Sequence, residues 1–137
     1  MSNDWKLKTA ELTEEQFDDR DKMMEPFFIT GPTDDDWFGG VRHYSDLDAA
    51  TLKQLIAKGY ADPEERQNRA PSIGEILEVI DRCPELTAHG YVVSRDRDDA
   101  RISIEGVEGN CPLDDALFFR EADEFSYQNG EFYCWYD

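Results

Sequence analysis

The chain has 137 residues, and its 32 aspartates and glutamates against 14 lysines and arginines give it a net charge of −18. Such a negative field repels nucleic acids and anionic lipids and attracts basic protein surfaces or cations, so we set aside direct binding to nucleic acid or to a membrane. The length and a hydrophobic content of 39% are enough for one buried core, which predicts a single globular domain over residues 1–137.

The first predicted helix begins at Thr13. A threonine followed three residues later by Gln16 forms a capping box, and the helical pattern runs to Met24 before Pro26 ends it. The apolar residues 27–29 that follow are interpreted as a short extended piece that enters the core.

The stretch TDDDWFGG, residues 33–40, is predicted to be a loop because glycines and a proline flank it on both sides. It places Asp34, Asp35 and Asp36 directly before Trp37 and Phe38. Aromatic anchors within a polar rim are typical of protein interfaces, so these five residues are predicted to bind a partner. In the alternative interpretation, both aromatic residues turn into the core and the aspartates cap the turn in solvent.

Two further helices are predicted in the middle of the chain. The first follows a short strand at residues 41–44, is capped by Ser45 or Asp46, and ends at Gly59 in a left-handed turn. The second is short and begins at the Asp-Pro-Glu-Glu segment 62–65, because aspartate is a good N-cap and proline suits the first helical position.

The clearest helix opens at Ser72. Glu75 completes another capping box, apolar residues recur at helical spacing, and Pro84 stops the helix. After residue 86 the apolar period changes to two, and the segments 86–94 and 100–108 predict an antiparallel hairpin about a charged turn. The segment 113–122 is ambiguous between a short helix and a bridging strand, and we favour the helix.

A second hairpin is predicted around Asn129-Gly130, the pair that a type I′ turn favours. Its register pairs Tyr127 with Phe132 and Phe125 with Cys134, which places these four side chains on one face. The opposite face either is covered by a second layer or displays aromatic residues among acids. That face carries the second predicted partner-binding group: Glu124, Glu131, Tyr133 and Trp135.

The order of the elements indicates the fold class. Helices come first and hairpins last, without alternation of single strands and helices. This order predicts an α+β fold in which several short helices pack on a small antiparallel sheet built from two C-terminal β-hairpins.

The negative charge is unevenly placed along the chain. Residues 1–36 carry 11 acids and 4 bases, residues 37–104 carry 12 and 9, and residues 105–137 carry 9 and 1. If the two acidic ends pack side by side, they form one strongly negative face. If they lie on opposite sides, their acidity only confers solubility.

The sequence contains no complete motif for a metal site, a cofactor or catalysis. The aspartate run meets only part of the calcium-loop pattern. Two histidines and three cysteines are too scattered to predict a zinc site or a nucleophile with its base: His43, His89, Cys83, Cys111 and Cys134. We therefore predict no cofactor, no metal ligand and no catalytic residue. The odd cysteine count, with no apolar leader or membrane-spanning run, predicts a reduced cytoplasmic protein.

The leading functional hypothesis is a non-enzymatic acidic protein that binds a basic surface of a partner, such as a nucleic-acid-binding enzyme. A nucleic-acid-mimicking inhibitor or an immunity-type protein would act in this way. One alternative is a small hydrolase or transferase that uses carboxylates in a cleft, which a carboxylate of strongly raised pKa in a pocket would favour. The other is an accessory domain whose acidity serves only solubility, which mixed charge signs on the acidic faces would favour.

Overall fold

The structure is a computed structural model that describes residues 7–29 and 37–137. This part of the chain forms the predicted α+β fold, with four α-helices and a five-stranded antiparallel sheet. The helices are α1 (Glu14–Met24), α2 (Ala49–Ala57), α3 (Ile73–Arg82) and α4 (Leu113–Ala116). The strands are β1 (Val41–Leu47), β2 (Leu86–Val93), β3 (Ile102–Asn110), β4 (Glu124–Gln128) and β5 (Glu131–Trp135). Short 3₁₀ turns lie at Lys8–Ala10, Glu25–Phe27, Phe38–Gly40 and Leu117–Phe119.

The strands are ordered β1-β2-β3-β5-β4, so β1 and β4 form the two edges of the sheet. Strand β5 pairs with β3 only over residues 106–110. The segment between α2 and α3 reaches the first half of β3, where Ser103 Oγ and the Tyr91 hydroxyl both donate to Gln67 Oε1, at 3.2 and 2.8 Å. None of the described helices is long and apolar enough to cross a membrane.

One face of the sheet packs against α2, α3 and α4 to form the core. Helix α3 shows why the sequence folds this way, since the side chains at its helical spacing are all nearly inaccessible to solvent. The sheet supplies the other half of this core, through side chains that share one face by register: Leu86, Ala88, Val92, Ile102, Ile104, Val107, Phe132 and Cys134. Residues between these positions point to the opposite face of the sheet.

The local sequence signals for the starts of α1 and α3 and for the second hairpin are confirmed. Both capping boxes form, because Thr13 and Ser72 each accept from the backbone amide three residues later and the side chain there accepts in return. The Asn129-Gly130 turn has positive φ at both residues, 55° and 87°, as a type I′ turn requires. The predicted β4–β5 register is the one observed.

The predicted cap of the second helix is wrong. Ser45 and Asp46 belong to β1, which continues to Leu47 and is irregular between Tyr44 and Leu47. Asp46 has a left-handed φ of 64° at that irregularity. The helix instead begins after Asp48, whose carboxylate accepts from the backbone amide of Thr51.

The short helix predicted at residues 62–65 is also wrong. The Asp62 carboxylate accepts from the Glu64 amide only two residues on, which closes a turn instead of a helix. The carbonyls of Pro63 and Glu65 accept from the amides of Gly74 and Ile73, so they are used by the start of α3. The extended piece predicted at residues 27–29 is correct only in part, since Phe27 ends a 3₁₀ turn and Ile29 is 64% exposed.

Candidate functional site

Four of the five acids of α1 form ion pairs with cations of the protein itself. Arg95, in the turn between β2 and β3, contacts the carboxylates of Glu14, Asp18 and Asp21 at 3.3, 2.7 and 2.9 Å. Burial alone would lower the pKa of Arg95, but the hydrogen bonds to Asp21 and Asp18 outweigh it and raise the pKa above its ordinary value. Arg95 and these three acids of α1 therefore form an ion-pair network within the protein.

The remaining aspartate of α1 is neutralised in the same way. The Asp19 carboxylate lies 2.8 Å from Lys58 Nζ and 2.8 Å from the Tyr60 hydroxyl. The hydrogen bonds from Lys58 and Tyr60 lower the pKa of Asp19. Both contacts tie α1 to the residues that follow α2.

Trp37 is half-buried and packs on neighbouring side chains. Its ring meets Phe28 edge-on, with ring centres 5.8 Å apart, and the Arg42 guanidinium lies 3.9 Å from the Phe28 ring centre. The indole borders a shallow groove of about 340 Å³ that also contains Asp18, Arg42 and Arg95. The groove thus mixes both charge signs, which fits the inward-turned interpretation of Trp37 better than an acidic binding loop.

Of the other residues predicted in this loop, Asp34, Asp35 and Asp36 lie outside the described residues, and only the backbone of Phe38 is described. The loop prediction therefore remains a prediction for these four residues.

The second predicted group does lie together, on the side of the β3–β5–β4 sheet that faces away from the core. Cross-strand pairing sets two rows of side chains: Glu108, Tyr133 and Ser126 in one, and Gly106, Trp135 and Glu124 in the next. Glu131 follows Tyr133 by one row, opposite Gln128. We call the side chains of Glu108, Glu124, Glu131, Tyr133 and Trp135 the acidic-aromatic face.

Side chains of neighbouring strands contact the aromatic rings of this face. Tyr133 stacks on His89, with ring centres 5.5 Å apart and planes inclined by 6°. A Cβ atom on Gly106 would lie 2.5 Å from His89 Nε2, so the absence of a side chain there makes room for the imidazole. Burial raises the pKa of the neighbouring Glu105 carboxylate, and the Trp135 side chain opposes this rise. The face is therefore preorganised.

The acids of this face differ from those of α1 in having no cation. Among the residues described, Glu124 and Glu131 are exposed and take part in no ion pair. Glu108 lies 3.5 Å from Nδ1 of His89, a side chain that is only 13% exposed and whose pKa burial lowers. Glu108, Glu131, Tyr133 and Ser126 border a shallow cavity of about 330 Å³ on this face.

The two acidic ends of the chain lie apart. Helix α1 is fixed to the β2–β3 turn by Arg95, and Trp37 contacts Arg42 in the edge strand β1. The acidic-aromatic face lies on β3, β5 and β4, at the other edge of the sheet. The described residues therefore do not form the single negative face that was one of the two expected arrangements.

The chain matches no protein-family model, no curated protein and no solved structure. Its function must therefore be inferred from the geometry and charge of its own residues.

A raised carboxylate pKa is the feature that the hydrolase or transferase alternative predicts. Burial raises the pKa of Glu65, but one oxygen of this carboxylate lies 3.4 Å from Arg101 Nε and 3.5 Å from Ser103 Oγ. Neither Glu65 nor Glu105 borders the cavity on the acidic-aromatic face or the groove beside Trp37. Within the described residues, no cluster of three or more histidine, cysteine or acidic side chains could hold a metal ion.

One surface feature was missed by sequence reasoning. Phe125 shares a face with Phe132 and Cys134 as predicted, yet it is 37% exposed because β4 is the outermost strand. Phe118, just after α4, is 42% exposed on the same side of the molecule. An apolar patch therefore borders the free edge of the sheet, a signal that needs the strand order to be recognised.

Proposed function

We propose that this protein is a non-enzymatic interaction protein whose acidic-aromatic face binds a basic surface of a partner macromolecule. The single observation that carries the proposal is the contrast in ion pairing. Four of the five acids of α1 are engaged by Arg95 or Lys58, whereas Glu124 and Glu131 have no cation among the described residues. Exposed carboxylates around half-buried rings suit lysine and arginine side chains, which combine charge attraction with cation–π contact.

The partner best suited to this face is a nucleic-acid-binding protein. Carboxylates fixed on a rigid sheet present negative charge at defined positions, as backbone phosphates do to a basic groove. Long-range attraction between such a face and a positive groove also accelerates association. In this proposal the protein competes with nucleic acid for the groove, as an inhibitor or immunity-type protein would.

The alternative of an accessory domain is supported by the separation of the two acidic ends and by the mixed charges at the other edge of the sheet. Around Trp37, acids and arginines are interleaved, which is the pattern expected of a solvated structural surface. Residues 105–137 contain 9 acids and a single base, Arg120. Its guanidinium donates to the carbonyl of Leu117 at 2.9 Å. The solubility argument therefore explains the α1 side better than the hairpin side.

The test compares three proteins as bait in extracts of the native host at low salt. One is the wild type, the second is Glu108→Gln/Glu124→Gln/Glu131→Gln on the acidic-aromatic face, and the third is a control that removes the same charge elsewhere. The control changes three exposed acids outside the face to glutamine: Glu11, Glu64 and Glu78.

We expect the wild type and the control to retain a basic partner that rising salt releases, because screening shortens the range of charge attraction to about 3 Å at 1 M salt. The face variant should not retain it. The captured protein, once purified, should release its nucleic acid when wild-type protein is added. A partner held unchanged at about 0.5 M salt, or held equally by the face variant, would reject the proposal.

A further inference from the structure

Strand β4 has one unused edge. It is the last strand of the sheet and pairs only with β5 among the described residues. In a two-residue hairpin the residues that flank the turn exchange both backbone hydrogen bonds, and bonded and non-bonded pairs then alternate. Gln128 and Glu131 flank the turn, so the backbone groups of Phe125 and Tyr127 point outward. These two residues offer the N–H and C=O groups that an added strand needs.

An apolar patch lies beside this edge. Phe125 packs on Phe132, Phe132 on Phe119, and Phe119 on Phe118, with ring centres 5.5, 5.5 and 5.2 Å apart. The two outer rings of this chain, Phe118 and Phe125, are exposed. Surface patches that continue a core outward are typical of interaction sites. We call Phe118 and Phe125 the edge patch.

The charge of the residues near the β4 edge indicates what kind of segment could pair with it. Glu121, Asp123 and Glu124 lead into β4, and they form no ion pair within the described residues. A second copy of the chain would bring another molecule of net charge −18 against this edge, which like-charge repulsion opposes. A segment with basic side chains would instead relieve their repulsion.

We propose that β4 binds an extended segment of a partner by strand addition, with apolar side chains of that segment on the edge patch and basic side chains near Glu121 and Glu124. The backbone supplies the pairing and the alternate side chains supply specificity, as in other cases of strand addition. The basic character of the partner rests on the proposed function, whereas the pairing at the edge rests on the topology alone.

The first test uses two synthetic peptides of equal charge. One alternates lysine and valine over eight residues, and the other has the same sequence with its pairing-edge nitrogens methylated. Strand addition requires the unmodified peptide to bind wild-type protein at least tenfold more tightly, and to slow hydrogen exchange at the outward amides of Phe125 and Tyr127. Equal affinities without amide protection would overturn strand addition while leaving the charge-based function intact.

The second test separates backbone pairing from side-chain contact within the protein. Phe125→Val keeps the outward N–H, whereas Phe125→Pro removes it at a position where an edge strand tolerates proline. We expect the proline variant to bind the unmodified peptide at least fivefold more weakly than the valine variant. Equal binding would overturn the proposal, and so would a wild-type dimer that the proline variant abolishes. If the proline variant does not fold, the exchange measurement on wild-type protein decides.

Discussion

The ion-pair network of Arg95 provides the sharpest test of whether the acids of α1 are structural. The side chain of Arg95 is 23% exposed and joins residues 74 to 81 positions apart in sequence, which fixes α1 against the β2–β3 turn. It also lies 5.5 Å from the ring centre of Phe17, a buried residue of α1. Arg95→Gln removes the charge and the fork of donors while keeping a polar side chain of moderate length.

The expected loss follows from the exposure of each partner. Asp21 is 22% exposed, and a charge-assisted hydrogen bond of this kind contributes about 1.5 to 3 kcal/mol. Asp18 and Glu14 are 72% and 80% exposed, so together they add at most about 1 kcal/mol. We therefore expect a loss of about 2 kcal/mol. For 137 residues, an unfolding entropy of about 2.1 cal/mol/K per residue converts this into a fall in Tm of roughly 7 °C.

The assay is thermal and urea unfolding at low and high salt. Arg97→Gln is the matched control, because Arg97 lies in the same turn and pairs with Asp99, and both side chains are more than 40% exposed. The control should lose less than about 1 kcal/mol. High salt should reduce, but not abolish, the difference in unfolding free energy between the two variants, since the Asp21 contact is shielded from solvent. Equal stability of the two variants would refute the structural role of Arg95.

Three further changes are expected to affect stability. Gly106→Ala would place a Cβ atom 2.0 Å from the Cys134 carbonyl oxygen, so we expect it to lose about 3 kcal/mol of stability or to fail to fold. A variant that unfolds in urea at the wild-type concentration would contradict this. Ser72→Ala should cost about 1 kcal/mol through loss of the α3 cap, and Ser72→Thr should restore most of it. Because burial lowers the pKa of His89, the unfolded chain takes up the proton first as pH falls. Relative to His89→Gln, the wild type should therefore lose up to about 1.4 kcal/mol per pH unit below about pH 6.5, in unfolding free energies measured from pH 7.5 to 5.

The elements that sequence reasoning located well are those fixed by neighbouring residues. A capping box needs only four consecutive positions, and both boxes form as read from Thr13 and Ser72. A type I′ turn needs only Asn129 and Gly130, and it also sets the register of the whole hairpin. The part of the acidic-aromatic face on β4 and β5 could be predicted for the same reason, because alternation along two short strands decides which side chains share a side. Glu108 was not predicted, because it joins the face through the pairing of β3 with β5.

The errors arose where distant residues compete for the same backbone groups. The segment 62–65 has the local chemistry of a helix start, but the Pro63 carbonyl accepts from the Gly74 amide and the turn closes early. Asp48 prevailed over Ser45 and Asp46 as a cap because pairing with β2 extends β1 to Leu47. Neither competitor is visible in the local pattern.

The edge patch shows the same limit for the functional surface. Alternation predicts that Phe125 faces the core side, and it does, but its exposure depends on β4 being the outermost strand. The partnership between α1 and Arg95 likewise depends on where the β2–β3 turn packs. Strand order and turn packing are tertiary properties, so a count of charges along the chain cannot distinguish paired acids from free ones.

The two ends of the chain carry similar net charges, but removing an acid is expected to affect stability differently at each end. In α1, removing an acid leaves Arg95 with fewer partners and weakens the fold. Near β4, Glu121 and Glu124 are exposed and form no ion pair with any described residue. Asp123 differs, because its carboxylate accepts from the backbone amide of Asp137 at 2.8 Å. Neutralising Glu121 or Glu124 should therefore leave the stability of the fold unchanged while weakening the affinity for a basic partner. Urea unfolding and peptide affinity, measured on the same variants, would thus separate a role in binding from a role in folding for these acids.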